Sequence, residues 1–289
     1  MKITDSSAAK VGGVNIATIA SSTASFLQFM CYLSTTISRA ISGTTGLIKN
    51  GIGGLTLSGV CNYTGPTQIN AGTLSITNAS TLNGVISGSG SLTKSGSFAV
   101  TIGGNNTYTG GTFFSLGTIT FTSGNAFGTG LFMAQTASQI ITSGNVTLPN
   151  NFQINAGATM QFRTAGANTI TVTGNITQSG NLNKTGNGRL HLDGTLTYTG
   201  STTITAGYIR AIKTVGASTA TATFGNVSGI LSLPVSFNVS PPSGTTNFRF
   251  FQGATTQTFS PATISLSGVP VGTTATYTSA TSTLAVTVP

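Results

Sequence analysis

Short runs in which apolar and polar residues alternate fill most of this chain. The apolar members stand two positions apart, and a glycine follows two positions after the second of them. The clearest pairs are Leu55 and Leu57, Val100 and Ile102, and Leu190 and Leu192. Alternation with a period of two is typical of a half-buried β-strand, and glycine at its end is typical of a tight turn. The pattern therefore predicts many short strands joined by corners.

The same pattern returns at a fixed distance along the chain. Three segments align without a gap, beginning at Leu47, Leu92 and Leu182. They share Lys49, Lys94 and Lys184; Gly51, Gly96 and Gly186; Gly59, Gly104 and Gly194; and Tyr-Thr-Gly triplets starting at Tyr63, Tyr108 and Tyr198. The equivalent lysines are offset by 45 and 90 residues, which are one and two units of one period. Insertion-free repetition predicts a stacked architecture.

Stacked rungs suit this pattern because each rung pairs its backbone with the rungs above and below. A rung takes about 20 to 25 residues, so we expect one unit to form two rungs. The sequence predicts an all-β protein with a parallel β-helix over residues 46–229. We expect the equivalent tyrosines to occupy equivalent corners, and the glycines of the Gly59 set to lie at turns that disfavour a side chain.

These segments resemble the autotransporter-associated β-strand repeat of bacterial autotransporter passengers. The similarity covers roughly residues 46–212 and is carried by NYTGPTQINAGTLSI (62–76), GVISGSGSLTKSG (84–96), NAFGTG (125–130) and SGNLNKTGNGRLHLDGTLTYTGSTTITAG (179–207). The resemblance implies a right-handed β-helix that is exposed outside a cell, and it implies no activity. The chain departs from the family in its last part, where we expect no translocator domain.

Residues 1–45 follow a different spacing. Positions at alternating steps of three and four are mostly apolar there: the register contains Thr23 and the apolar residues Ile16, Ile19, Phe26, Met30, Leu33 and Ile37. This register predicts a helix that acts either as an oligomer seam, with a trimer favoured, or as a cap over the first rung. The opening KVGGVNIATIA (10–20) also resembles short openings of phage virion proteins. Neither a removable secretory signal nor a membrane span is expected here.

Residues 230–289 lose the repeat. Short strand-like runs lie there between Pro234, Pro241, Pro242, Pro261 and Pro270. This pattern predicts a small C-terminal β cap or β-sandwich.

Charge is scarce along the chain. Only 4% of the residues are charged, so hydroxyl and amide side chains must supply the solubility. The formal net charge of +9 predicts attraction to acidic polymers such as phosphate-bearing or sulfated polysaccharide. No Lys/Arg run or recognition helix is present, which argues against nucleic-acid binding. Cys31 and Cys61 have neither a disulfide framework nor zinc spacing, and we expect both to be small packed side chains.

The sequence has few of the residues that glycan hydrolysis requires. Such a reaction uses two neighbouring carboxylates, and the chain offers only Asp5 and Asp193, in different regions. His191 and Asp193 share one face of a strand, but they have no third ligand for a metal. We therefore expect no catalytic residues, no metal and no cofactor.

Two sets of equivalent residues are the candidate contacts for a ligand. Lys49, Lys94 and Lys184 would form a basic stripe for acidic glycans if they stack on one side, and otherwise lie on a solvated face. Tyr63, Tyr108 and Tyr198 would form a column for sugar rings, or pack inside the corners.

The sequence favours a structural protein of a bacteriophage particle, a fibre, spike or capsid-decorating protein. This expectation takes the chain as complete from Met1, without a signal or a translocator, and it places the protein on the virion surface. Its partners would be copies of itself, other virion proteins and host surface polysaccharide. The alternative is an extracellular adhesin or filament subunit of a bacterial cell surface, built from passenger-type repeats.

Overall fold

The structure is a computed structural model. It describes residues 2–5, 19–20, 26–200, 202–211, 213–215, 227–228, 231–232, 235–237, 244–249, 274–278 and 283–288. The described residues contain strands and no helix, and their parallel sheets form a β-solenoid of about nine turns. The predicted all-β solenoid is therefore confirmed.

Between residues 26 and 204, each turn of the solenoid contributes one strand or extended segment to each of three faces. Face 1 begins as one parallel sheet and continues as a second one. The lower sheet contains β1 (Lys2–Asp5), β3 (Phe26–Cys31), β6 (Gly46–Asn50), β9 (Thr67–Ile69) and β12 (Ile86–Ser87). The upper sheet contains β19 (Val146–Leu148), β22 (Thr169–Val172), β25 (Arg189–Leu192), β27 (Tyr208–Ala211) and β30 (Leu231–Ser232). Backbone hydrogen bonds such as that from Thr107 to Ile86 bridge the interval between the two sheets.

Face 2 is a single eight-stranded parallel sheet. Its strands are β4 (Thr35–Ile37), β7 (Gly54–Leu57), β10 (Thr73–Ile76), β13 (Ser91–Lys94), β15 (Thr112–Phe114), β17 (Phe132–Ala134), β20 (Phe152–Ile154) and β23 (Ile176–Thr177).

Face 3 also consists of two parallel sheets. The first contains β2 (Ile19–Ala20), β5 (Ile41–Gly43) and β8 (Cys61–Tyr63). The second contains β11 (Ser80–Leu82), β14 (Ala99–Ile102), β16 (Gly117–Phe121), β18 (Ala137–Thr142), β21 (Thr159–Thr164), β24 (Asn181–Thr185), β26 (Thr202–Ile204) and β29 (Val227–Ser228).

Two further sheets lie towards the C-terminus. β28 (Lys213–Val215) pairs in parallel with β31 (Val235–Phe237), so parallel pairing extends to Phe237. The strands β32 (Gly244–Arg249), β33 (Thr274–Thr278) and β34 (Thr283–Val288) form an antiparallel sheet in the order β32-β34-β33. This sheet lies within the predicted C-terminal β region, whose boundary at residue 230 stays a prediction.

The core fills the interior of the solenoid, because most of the strands between residues 26 and 204 point alternate residues inward. Leu55, Leu57, Leu190 and Leu192 are each at most 1% exposed, as their alternation predicted. Phenylalanines stack in the middle turns, where Phe132 lies 4.7 Å from Phe127 and 4.9 Å from Phe152 between ring centroids. The apolar alternation therefore supplies one continuous core along the stack.

The repeat unit does not coincide with a whole number of turns. One turn takes 20 residues where Lys49 pairs with Ile69, and 18 where Leu74 pairs with Leu92. The first unit runs from β6 to β12, which is seven strands on three faces, or two turns and one further strand. The prediction of two rungs per unit is thus wrong by one strand. As a result, the next unit starts on the next face.

The glycines of the Gly59 set lie where two turns nearly touch. A Cβ on Gly59 would lie 2.2 Å from the carbonyl oxygen of Arg39, and one on Gly194 would lie 2.0 Å from that of Gly174. On Gly104 it would lie 2.7 Å from the oxygen of Gly84. The expectation that these turns disfavour a side chain is confirmed, and the cause is close backbone approach.

The predicted N-terminal helix is wrong where the structure describes it. Phe26 and Met30 lie in strand β3, and Ile37 ends strand β4. The alternation of Leu27, Phe29 and Cys31, all buried, overrides the weaker steps of three and four. No helix long and apolar enough to cross a bilayer occurs in the part of the chain that the structure describes.

Candidate functional site

The three equivalent lysines lie inside the solenoid. Lys49 belongs to β6 on face 1, Lys94 to β13 on face 2 and Lys184 to β24 on face 3. Their side chains are at most 1% exposed. The predicted basic stripe is therefore wrong for two reasons: the three lysines lie on three different faces, and all three point inward.

Each buried ammonium group is held by three backbone carbonyls. Lys49 Nζ donates to the oxygens of Asn50 at 3.1 Å, Gly51 at 2.7 Å and Ala71 at 3.0 Å. The first two carbonyls belong to the corner that follows the lysine, and the third belongs to the same corner one turn later. We call this arrangement a lysine cage, and it joins two successive turns.

The cages of the other two units repeat this geometry. Lys94 Nζ donates to Ser95, Gly96 and Leu116 at 3.3, 2.7 and 2.9 Å. Lys184 Nζ donates to Thr185, Gly186 and Ala206 at 2.7, 2.7 and 3.4 Å. The acceptors in every cage are residues one, two and 22 positions after the lysine.

Glycines give each cage its shape. The second acceptor is a glycine with a positive φ, 86° at Gly96, which a residue with a side chain rarely adopts. The residue after the third acceptor is again a glycine with a positive φ, and a Cβ on Gly117 would lie 3.0 Å from Lys94 Nζ. A side chain at either position would strain the corner or crowd the ammonium group.

The cages hold positive charge without a carboxylate. Every acceptor in them is a backbone oxygen, whose dipole favours the ammonium form. Burial acts in the opposite direction: it lowers the pKa of Lys49, and it lowers the pKa of Lys94 and of Lys184 to about 8. With all three N–H groups engaged and no exposed surface, these lysines hold turns together and do not reach a ligand.

The three equivalent tyrosines are buried as well. The hydroxyl of Tyr63 shares a hydrogen bond of 2.7 Å with Thr67 Oγ1, and that of Tyr108 one of 2.5 Å with Thr112 Oγ1. Tyr198 makes the same bond with Thr202. Burial is the main cause that raises the pKa of each hydroxyl.

The tyrosines keep their local corner but change face from unit to unit. Tyr63 lies on face 3, while the residue before Tyr108 bonds to Ile86 on face 1 and the residue before Tyr198 bonds to Ile176 on face 2. Their expected equivalence therefore holds within each corner and not along a common column. The predicted column of rings for sugars is wrong, because no ring is more than 1% exposed.

The predicted oligomer seam does not form one surface. Phe26 and Met30 are partly exposed on the outer side of β3, Leu33 is 53% exposed and Ile37 packs partly against the core. Ile19 lies in β2, and Ile16 lies outside the described residues. The predicted trimer was argued from a helix that the described residues do not form, and the oligomeric state stays a prediction.

Both cysteines are buried, as expected. Cys31 lies in β3 and Cys61 in β8. Burial raises the pKa of the Cys61 thiol to about 11, so this thiol stays protonated near neutral pH. Among the residues that the structure describes, no group of three His, Cys, Asp or Glu side chains is placed to hold a metal ion.

A charged group remains on the outer side of face 1. Arg189 is exposed in β25, His191 is partly exposed in the same strand, and Asp193 is exposed directly after it. Sequence reasoning singled out the last two as a polar pair and passed over Arg189. The alternation of Arg189 and His191 with two buried leucines was the signal that would have found it.

The cage acceptors were also missed by sequence reasoning. The constant distance of 23 residues from each lysine to a second glycine, Gly72, Gly117 or Gly207, was the available signal. It marks the point where the chain returns to the same corner after one turn.

Comparison with known proteins supports the predicted resemblance. The family model described as passenger-associated-transport-repeat matches residues 47–76, 92–121 and 182–211. Each matched segment contains one complete lysine cage and one buried tyrosine corner. No curated protein and no solved structure matches the chain. The chain therefore carries three passenger-associated-transport repeats, the repeat type of autotransporter passengers.

Proposed function

We propose that this chain is a non-enzymatic structural protein exposed on a bacterial cell surface, where the solenoid works as a rigid stalk or display scaffold. The observation that carries the proposal is the set of three passenger-associated-transport repeats, each built around a lysine cage. The virion role that the sequence favoured has no support in the comparisons, so the cell-surface alternative replaces it.

The physical character of the solenoid supports this role. Three lysine cages each join two successive turns, and their cations and acceptors both come from the chain. Most of the Thr, Ser and Asn residues that the structure describes are at least partly exposed, and they supply hydration with few charges. The lysines and tyrosines that the sequence suggested as ligand contacts form hydrogen bonds inside the solenoid instead.

Protease accessibility on intact cells tests the location. A cleavage sequence for a site-specific protease is inserted between Gly166 and Ala167, a corner whose residues are exposed and where Gly166 has open space around it. We expect cleavage of the chain on intact native cells, while a cytoplasmic marker with the same site stays uncut. A chain that is cut only after lysis, or that co-purifies with phage particles, contradicts the proposal.

The absence of enzymatic activity has its own test. The purified chain is expected to release no reducing ends from surface polysaccharides of its host, because Asp5 and Asp193 are its only carboxylate side chains. Release that disappears in Asp193→Asn contradicts the non-enzymatic assignment.

A further inference from the structure

The eight strands of face 2, all of which the structure describes, direct no charged side chain outward. Among these described strands the one charged residue is Lys94, which is buried in its cage. The other faces differ, since Arg189 is exposed on face 1 and Arg163 is exposed on face 3. Arg39 lies beside face 2 only in its first turn, after β4. Face 2 is therefore a neutral surface on a chain whose formal net charge is +9.

Exposed apolar residues border this neutral face. The structure describes seven exposed large hydrophobic side chains, and six of them lie in the corners on either side of face 2. The six are Tyr32, Leu33 and Ile52 in the corner before the face, and Val60, Phe98 and Leu116 in the corner after it. Val85, the seventh, lies between face 3 and face 1. Apolar exposure gathered on one side of a molecule marks an interaction surface.

The most exposed ring of this group lies at the middle of face 2. Phe98 follows β13 and Leu116 follows β15, which are the fourth and fifth of the eight strands. Phe98 is 55% exposed and Leu116 is 45% exposed, and they occupy the same corner in successive turns. Phe113 points outward from β15 and is in register with Met133 of β17. We call these four residues the apolar centre.

Hydroxyl and amide side chains lie on both sides of the apolar centre. Five of them share one register column with Phe113: Thr36, Thr56 and Ser75 on one side, and Gln153 and Thr177 on the other. Interfaces between proteins have this arrangement, an apolar core inside a polar rim, and their strongest contacts lie near the middle. Face 2 therefore has the anatomy of a protein interface.

The Lys94 cage fixes the backbone that presents the apolar centre. Lys94 Nζ donates to the carbonyl oxygens of Gly96 at 2.7 Å and Leu116 at 2.9 Å. Phe98 stands two residues after Gly96, and its own carbonyl oxygen lies close to Gly117, where an added Cβ would be 2.9 Å away. A surface that is already held in place loses little conformational entropy when it binds a partner.

We propose that face 2 is the contact surface for a second copy of this chain, in an antiparallel dimer whose two-fold axis crosses the face between β13 and β15. This axis lays the eight strands of one copy over the eight strands of the other, and it brings Phe98 and Leu116 against their counterparts. Two copies with a net charge of +9 repel each other. Face 2 lets them approach without placing like charges in contact.

The size of the face suits a dimer. Seven intervals of about 4.8 Å between the strands give a length of about 34 Å, and about six residues between its corners give a width of about 20 Å. The area of about 700 Å² lies within the range of about 600–1,000 Å² that each partner contributes to a stable complex. A single polysaccharide chain would cover only a strip of this area, so a protein surface fits it better.

Sedimentation velocity of the purified full chain tests the proposal. We expect a monomer–dimer equilibrium with a dissociation constant of about 10 µM or tighter. Raising the salt from about 50 mM to about 500 mM should strengthen association, because added ions screen the repulsion between the copies. Phe98→Asp is expected to weaken association about 100-fold, since each dimer loses this central contact twice. Its circular dichroism should match that of the parent, because the side chain is exposed.

Val85→Asp is the matched control. It adds the same charge at a corner residue of comparable exposure, 44%, away from face 2. We expect its dissociation constant to stay within about two-fold of the parent. A monomer at about 100 µM, a trimer, association that weakens with added salt, or equal losses in both variants would overturn the proposal.

A monomeric chain that binds cellulose through Phe98 would also overturn the proposal, and it would assign the face to a neutral polysaccharide. The dimer does not depend on the proposed location. Because sedimentation uses purified protein, its result leaves the cell-surface assignment to be decided by protease accessibility.

Discussion

Lys94→Met is expected to destabilise the solenoid by about 2–4 kcal/mol. Methionine fills nearly the same volume, but it leaves the carbonyls of Ser95, Gly96 and Leu116 without the donor that they share. A buried acceptor that loses its partner costs about 1–3 kcal/mol, and part of this total is returned because a buried charge is removed. Chemical denaturation monitored by circular dichroism measures the difference.

The site at which unfolding begins distinguishes loss of the cage from a general loss of stability. Because solenoid turns contact only their neighbours, limited proteolysis of Lys94→Met should begin at the corners near residues 95 and 116. Arg163→Met is the matched control, since it removes an exposed cation from face 3, and its effect is expected to stay within about 0.5 kcal/mol. A Lys94→Met protein as stable as the parent would show that the cage contributes nothing.

Gly194→Ala is expected to cost about 2–3 kcal/mol, although it adds a single methyl group. The new Cβ would lie 2.0 Å from the carbonyl oxygen of Gly174 in the preceding turn, so two backbone segments must separate. Backbone cannot yield as the end of a flexible side chain does, and the strain extends into the pairing of β22 with β25. Thermal unfolding of the variant and the parent gives the comparison.

Gly144→Ala provides the control for this substitution. A Cβ at Gly144 meets no atom within 4 Å, and its φ lies outside the positive range. We expect a change within about 0.5 kcal/mol there, or a slight gain from the smaller entropy of the unfolded chain. If both alanine variants unfold at the same temperature, close approach of turns at Gly194 does not limit the fold.

Most of the fold was predictable because two separate sequence signals, the alternation of apolar residues and the repeat, indicate the same strands. Pairs such as Leu55 and Leu57 define the strands, and the 45-residue repeat defines the stack. The number of strands per unit was not predictable, because no residue marks the end of a turn. The pairing of Ile86 with Thr67 in the structure shows that the seventh strand of the first unit, β12, begins a new turn.

The lysines were misplaced although their sequence position contains the answer. Lys94 stands two residues after the buried Leu92, and Lys49 and Lys184 stand in the same relation to Leu47 and Leu182. Residues two apart on a strand share a face, so each lysine had to point inward. The sequence analysis instead placed the lysines on the surface, as is usual for this residue. Burial of an ammonium group is unfavourable unless the fold supplies hydrogen-bond acceptors. Those acceptors lie partly one turn away, where the sequence alone gives no distance.

The N-terminal segment shows the same competition between two periods. Phe26, Met30 and Leu33 fit steps of three and four, while Leu27, Phe29 and Cys31 fit steps of two. A strand that pairs with a sheet forms backbone hydrogen bonds with its neighbours. β3 forms such bonds with β6 on one side and with β1 on the other. A helix of this composition would also suffer from its many serines and threonines.

Acylation of the lysines in the native protein, followed by mass spectrometry, tests the central claim that the repeats are built around buried cations. Each site is compared with its own rate in the denatured chain, which removes differences in local reactivity. We expect Lys49, Lys94 and Lys184 to be protected together in the native protein, because their ammonium groups are at most 1% exposed and bonded to three carbonyls each. Acylation of these three lysines at the denatured rate, with the β-sheet signal intact, would contradict the account.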